Sequence, residues 1–160
     1  AHERIIYERL MQATKGKTIA TQRSLFPITL ELSPADTTLL EELMPDLEHL
    51  GYMIEPFGKN TFVIQGTPAD IEQGNEKKIM ESLLEQFKHF SNDMKFSKRE
   101  KLVRSLAGQQ AIKPGTSLTG KEMKAVVEDL FSCNTPNITP NGNPTYMEFK
   151  KDYLEKMFKG

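Results

Sequence analysis

Two glutamates stand five residues apart at the start of the chain, Glu3 and Glu8 in AHERIIYE. Paired carboxylates can divide acid and base work or help hold a divalent cation. Five residues is about 500° of helical rotation, so on one helix this pair does not converge. Arg4 and Arg9 interleave with them, and a solvated charged face accounts for all four. His2, His49 and His89 are scattered, and no C-x-x-C, G-x-S-x-G, P-loop or G-x-G-x-x-G sequence occurs. The one cysteine, Cys133, has no neighbouring histidine to activate a thiolate and reads as an inert small residue.

A second stretch, QRSLFP at 22–27, bears on recognition rather than catalysis. Gln22 offers a donor and an acceptor, and Leu25 with Phe26 offers two adjacent apolar anchors for a groove. The same residues also read as a strand entry. Phe26 would then begin the inward face, Leu25 would point away, and Pro27 would sit where its missing N–H does no harm. A contact this short is expected to be weak, micromolar or poorer.

The elements that must position these groups follow from periodicity. The spacing predicts a helix over 2–14, with Ile6 and Leu10 on one face. A strand follows over 24–32, with Phe26, Ile28, Leu30 and Leu32 pointing inward. Ser33 and Pro34 open a helix that runs to Gly51 and carries Leu39, Leu40, Leu43, Leu47 and Leu50. Pro45 is expected to kink or split it. A hairpin over 52–66 turns at GKN. Helices follow over 75–90 (Ile79, Met80, Leu83, Leu84, Phe87, Phe90) and about 98–112. A third, over 120–132, opens with the capping box Thr119/Glu122 and carries Met123, Val126, Val127, Leu130 and Phe131. CNTPNITPNGNPT is a loop, TYMEF a closing strand and KDYLEKMF a last helical turn or two. The order α-β-α-β-β-α-α-α-β-α is an α+β fold, with helices packed on small, mostly antiparallel sheets.

The 160 residues suit one compact domain or two small lobes sharing a core. A net charge of −1 gives no bulk electrostatic case for wrapping nucleic acid. The local group Lys95, Lys98, Arg99, Lys101 and Arg104 reads as a solvated face. A single cysteine excludes an internal disulfide and fits a reducing, intracellular compartment. No apolar run approaches the roughly 18 residues of a membrane span, and there is no signal peptide. The first residues are already helical with no cap before them, so the chain is expected to be a piece of a longer protein.

Read together, these segments resemble the C-terminal domain of the MutL family of bacterial mismatch-repair proteins. AHERIIYE resembles the tail of that family's D-Q-H-A-x-x-E-x-x-x-x-E, with Glu3 and Glu8 on its two glutamates. QRSLFP resembles its Q-x-x-L-x-P element, and LEHLGYMIEPFGKNTFVIQGTP its helix-to-hairpin stretch. GQQAIKPGTSLTGKEMKAVVEDL resembles the segment written A/S-C-x-x-A/S-I-K with the capped helix after it. NPTYMEF and YLEKMF resemble the closing strand and helix. The match runs in order over nearly the whole chain.

The resemblance implies a two-lobed arrangement: a dimerisation lobe from 1–27 and 106–160, and a regulatory lobe from 28–105 inserted between them. It implies a homodimer that joins N-terminal ATPase arms around DNA, with Ile19, Phe149, Tyr153 and Met157 as candidate dimer contacts. Its implied partners are the replication sliding clamp, read through Gln22, Leu25, Phe26 and Pro27, the mismatch-recognition protein of the same pathway, and DNA through the full-length protein. The implied location is the bacterial cytoplasm, with the nucleoid. ATP and magnesium would belong to the N-terminal part. Endonuclease members of the family use metal ligands from the D-Q-H-A-x-x-E helix, from the cysteine of A-C-x-x-A-I-K and from a C-P-H-G-R-P loop. Here Gly108 stands at the first cysteine, Thr139 and Asn141 at the second cysteine and the histidine, and Asn143 at the arginine. Glu3 alone is left as a metal ligand and zinc is not expected. The catalytic candidates reduce to Glu3 and Glu8, within an alternative reading as a metal-dependent DNA-nicking endonuclease. A generic α+β binding domain is the reading that ignores the resemblance.

Overall fold

One antiparallel sheet organises the chain: β1 (Thr21–Glu31), β2 (Met53–Pro56) and β3 (Thr61–Pro68), in the order β1-β3-β2. The structure is a computed structural model that describes residues 1–90 and 95–159, the side chain of Phe90 excepted. Phe90, expected on the apolar stripe of its helix, therefore has its side chain outside the described residues. The central strand, β3, buries Phe62 and Ile64 on alternate positions, as a half-covered pleat requires.

Helices cover that face. They are α1 (His2–Thr14), α2 (Pro34–His49), α3 (Glu76–Phe90) and α4 (Lys98–Gln110). Ser33 Oγ accepts from Asp36 N–H and Ser97 Oγ from Glu100 N–H, which satisfies the first orphan donors of α2 and α4. Leu10, Leu30, Leu40, Leu43, Ile64, Met80, Leu83, Leu102 and Leu106 lose all exposure in one continuous core. Each such side chain contributes about 1.5–3 kcal/mol of burial free energy. Two further helices, α5 (Gly120–Phe131) and α6 (Lys151–Phe158), follow outside this core. The predicted capping box opens α5: Glu122 accepts from Thr119 N–H at 2.6 Å and Thr119 Oγ1 from Glu122 N–H at 3.2 Å. Among the described residues, six helices and this sheet make an α+β fold.

Three expectations are corrected. TYMEF is not a strand. The one pairing nearby is the bridge Ile138↔Pro144, and residues 146–150 run irregularly with no strand alongside to take their N–H and C=O groups. Pro45 does not split α2. Its missing N–H leaves the Glu41 carbonyl without a helical donor, but both residues lie on the exposed side, where water serves. Phe26 does not face inward: it is 86% exposed. The β1–β3 register breaks between Arg23 and Ile28, so the alternation counted back from Leu30 fails there.

Candidate functional site

Glu8 is committed to the backbone. Its Oε2 accepts from Asn134 N–H at 2.7 Å and its Oε1 from Thr135 N–H at 2.9 Å. Arg4 Nε donates to the Ile138 carbonyl at 2.7 Å and Arg104 Nη1 to the Pro140 carbonyl at 2.8 Å. α1 and α4 thus pin the loop that follows α5 against the body. Charge-assisted bonds of this kind are stronger than neutral ones, and both Glu8 oxygens are used in making them.

The pinning carries Asn141 into a small cavity of about 320 Å³ that Glu3, Gln86, His89, Arg104 and Gly108 also line. A Cβ added at Gly108 would lie 4.0 Å from Glu3 Oε1. Positions 3, 108 and 141, far apart in sequence, therefore share one site. Thr139 does not line it: its N–H donates to Asn143 O and its Oγ1 accepts from Asn143 N–H, closing a turn. The donor set does not fit zinc. Glycine has no donor atom, an amide binds zinc weakly, and a guanidinium adds positive charge to the wall. Among the described residues no three His, Cys, Asp or Glu side chains gather to hold a metal ion.

QRSLFP is placed more sharply. Four residues, Ser24–Pro27, span the gap between the pairs Arg23↔Gly66 and Ile28↔Ile64, which β3 crosses with Gln65 alone. The surplus residues make a bulge in β1, within which the Ser24 hydroxyl is buried. Leu25 and Phe26 stand on that bulge at 85% and 86% exposure. Pro27 is exposed beside them. Gln22 behaves differently: its Nε2 donates to Ile71 O at 2.7 Å, Pro68 O at 3.0 Å and, at 3.4 Å, Thr67 Oγ1.

A broader apolar surface lies at the other end of the chain. Met123, Val127 and Phe131 on α5 are more than half exposed, as are Met147, Phe149, Tyr153, Met157 and Phe158. α5 buries only Leu130, and α6 buries nothing. Ring contacts join the pieces: Phe131 meets Tyr146 with centroids 5.2 Å apart, and Phe149 stacks on Tyr153 at 5.9 Å. Phe149, Tyr153 and Met157, named from the sequence, belong to this surface; Ile19 packs against the core instead. Met123, Val127, Phe131, Met147 and Phe158 were not singled out as contacts. The signal for the first three was the α5 stripe itself, which reads like that of any core helix.

The basic group is not an open cationic patch. Lys98 pairs with Glu42 at 3.5 Å, Arg99 with Asp46 at 3.0 Å and Arg104 with Glu100 at 3.1 Å. The first two clip α4 to α2. Burial and the Glu8 carboxylate push the Cys133 thiol up, away from reactivity. A concavity of about 1030 Å³ between α2 and β2 has Glu41, Glu48, His49 and Glu55 among its walls. His49 Nδ1 is spent on the Pro45 carbonyl at 2.7 Å.

An α+β body with an exposed apolar face and a protruding apolar pair defines an interaction domain. Residues 1–118 match the family model described as the MutL C terminal dimerisation domain, and the chain belongs to that family. The DNA mismatch repair protein MutL of Chlorobium phaeobacteroides is 34% identical over 158 residues, 99% of this chain and 25% of that protein. The protein of the same name from Pelodictyon phaeoclathratiforme is 32% identical with the same coverage. The chain therefore spans about a quarter of the length of these relatives. No helix among the described residues is long and apolar enough to cross a membrane.

Proposed function

We propose that this chain is the homodimerising domain of a DNA mismatch repair protein, and that two copies meet through α5, α6 and the segment between them. The observation that carries this reading is the uncovered apolar face of Met123, Val127, Phe131, Phe149, Tyr153 and Met157. A stable homodimer buries a large, contiguous and apolar patch, on the order of 1,200 Å² or more in total. A two-fold axis lets one such patch cover its own copy. The face lies wholly in the 106–160 part of the dimerisation lobe that the family resemblance implies. In the full-length protein the dimer would hold two N-terminal ATPase arms together around DNA, beside the mismatch-recognition protein in the bacterial cytoplasm. Deuterium exchange at two protein concentrations tests the reading. Protection of amides in 120–131 and 151–158 should rise with concentration, and unchanged exchange there would contradict it.

A second contact is supported by the exposed Leu25–Phe26 pair. The replication sliding clamp is the proposed partner, bound weakly through two apolar anchors. Titrating the clamp with this domain, unsubstituted and with Leu25→Ala/Phe26→Ala, tests it; binding that ignores the substitution would sink the clamp contact. A nicking activity has less support, because among the described residues Glu3 and His89 are the only His, Cys, Asp or Glu side chains lining the cavity at Gly108.

A further inference from the structure

We propose that the groove between α2 and β2 takes an extended basic peptide from a partner protein, added as a further strand on the open edge of β2.

β2 is an outer strand, with β3 on one side of it only. The ladder fixes which of its backbone groups are spare. Phe57 N–H donates to the Thr61 carbonyl at 2.8 Å, so Phe57 and, two residues earlier, Glu55 turn their polar groups to β3. Ile54 and Pro56 alternate with them and turn the other way. The Ile54 N–H and C=O and the Pro56 C=O therefore point out from the sheet edge, and no hydrogen bond from another described residue reaches them. Pro56 has no N–H to lose at such a position.

Ile54 and Pro56 line a groove of about 1030 Å³, and the opposite wall is a face of α2 made by Glu41, Met44, Pro45 and Glu48. Their spacing puts these four on one side of the helix. Pro45 leaves the Glu41 carbonyl without its helical donor, a further acceptor on this wall. Met44, Leu47 and Tyr52 add apolar surface between the walls. A peptide strand entering here would bond the edge of β2 through its backbone and lay side chains against that surface.

Charge selects the strand. Among the described residues no Lys or Arg lines the groove, while Glu41, Glu48 and Glu55 do. Other acids of α2 are already paired, Glu42 with Lys98 and Asp46 with Arg99. Glu41 and Glu48 have no salt-bridge partner among the described residues, and Glu55 accepts from the neutral Gln65 amide at 2.8 Å. A second copy of this chain laid on the same edge would set glutamate against glutamate, which is unfavourable. Lysine or arginine side chains would meet those carboxylates instead. The short edge, its proline and its glutamate guard β2 against indiscriminate pairing, and the same guard favours a basic partner. The groove shares no lining residue with the α5–α6 face, so the proposed dimer does not use it.

The test titrates the 15N-labelled domain with blocked peptides and follows its amide signals. The probes are KVKVKV, the same peptide with every backbone nitrogen methylated, and EVEVEV. KVKVKV should move the signals of residues 41–48 and 53–57 saturably, with an affinity in the range of about 0.1–1 mM for so short a strand. The methylated peptide keeps the charge and loses the donors, and should bind about tenfold more weakly or not at all. EVEVEV should not bind. Glu41→Gln/Glu48→Gln, at two exposed positions, should weaken KVKVKV by about fivefold and leave the melting temperature unchanged. The inference falls if KVKVKV causes no saturable shift at these residues. It falls equally if the methylated peptide or EVEVEV binds as well as KVKVKV, since charge alone or shape alone would then suffice. If excess unlabelled domain moves the same signals, the occupant is a second copy and the basic partner is excluded.

Discussion

Helices α3 and α5 carry the same kind of apolar stripe and meet opposite surroundings. On α3, Met80, Leu83, Leu84 and Phe87 are buried, packed between α4 and the sheet. On α5, Met123, Val127 and Phe131 stay more than half exposed, and only Leu130 is covered, where the helix meets α1. Periodicity announces that a helix has a face to hide; it does not say what hides it. The α3 stripe builds the domain, and the α5 stripe is left for a second molecule. Substitutions at the two faces should therefore fail in different ways.

The largest effect is expected at α5. Met123→Glu with Val127→Glu would bury unpaired carboxylates in the dimer, at a cost of several kcal/mol. The dimer should dissociate by about a thousandfold or more at that cost, while the monomer keeps its melting temperature. Sedimentation velocity paired with thermal melting checks both halves, and a collapse in melting temperature would place the stripe in the core after all. Next comes the reverse case. Leu83→Ala, at a position with no exposure, should cost about 2–5 kcal/mol in denaturant unfolding. It should leave association unchanged wherever the domain is folded.

Smaller still is the tie between body and C-terminal segment. Glu8→Ala leaves the Asn134 and Thr135 N–H groups without their acceptor. The expected loss is about 1–3 kcal/mol, and deuterium exchange should show it confined to the loop after α5. Equal loss throughout the chain would mean that this loop is part of the main cooperative unit.

The smallest effect is a pH dependence. His2 Nδ1 accepts from Ile112 N–H at 2.9 Å, which requires the unprotonated nitrogen. Burial, then the Arg9 charge, lowers its pKa below 6.5, against the opposing Asp129. A histidine with a depressed native pKa contributes stability above its unfolded value and loses it as pH falls. Melting temperature should therefore fall slightly on acidification from about pH 7 to 5, and part of that slope should vanish in His2→Ala. An identical slope in the variant would remove His2 from the account.

What the sequence made legible was local. The caps at Ser33 and Thr119 and the stripes of α2 and α3 depend on residues within a few positions of each other. The positions it misjudged depend on distant ones. Phe26 turns outward because of a register break against β3. TYMEF lacks a strand beside it, which no reading of its own residues reveals. The Gln22 amide is bonded to the Pro68 and Ile71 carbonyls, 46 and 49 residues away, which its own segment does not reveal. Glu3, Gly108 and Asn141 were named from the family's motif positions, but their meeting in one cavity depends on Arg4, Glu8 and Arg104 holding the loop. Tyr153 and Met157 came as dimer candidates from the family resemblance, whereas the stripe of α5 reads like that of any core helix.

Light scattering on the unsubstituted chain across a concentration series tests the central claim most directly. The account predicts a mass twice that of one chain, 18.2 kDa, falling to the single-chain mass in Met123→Glu/Val127→Glu. A single-chain mass for the unsubstituted protein, independent of concentration, would contradict it.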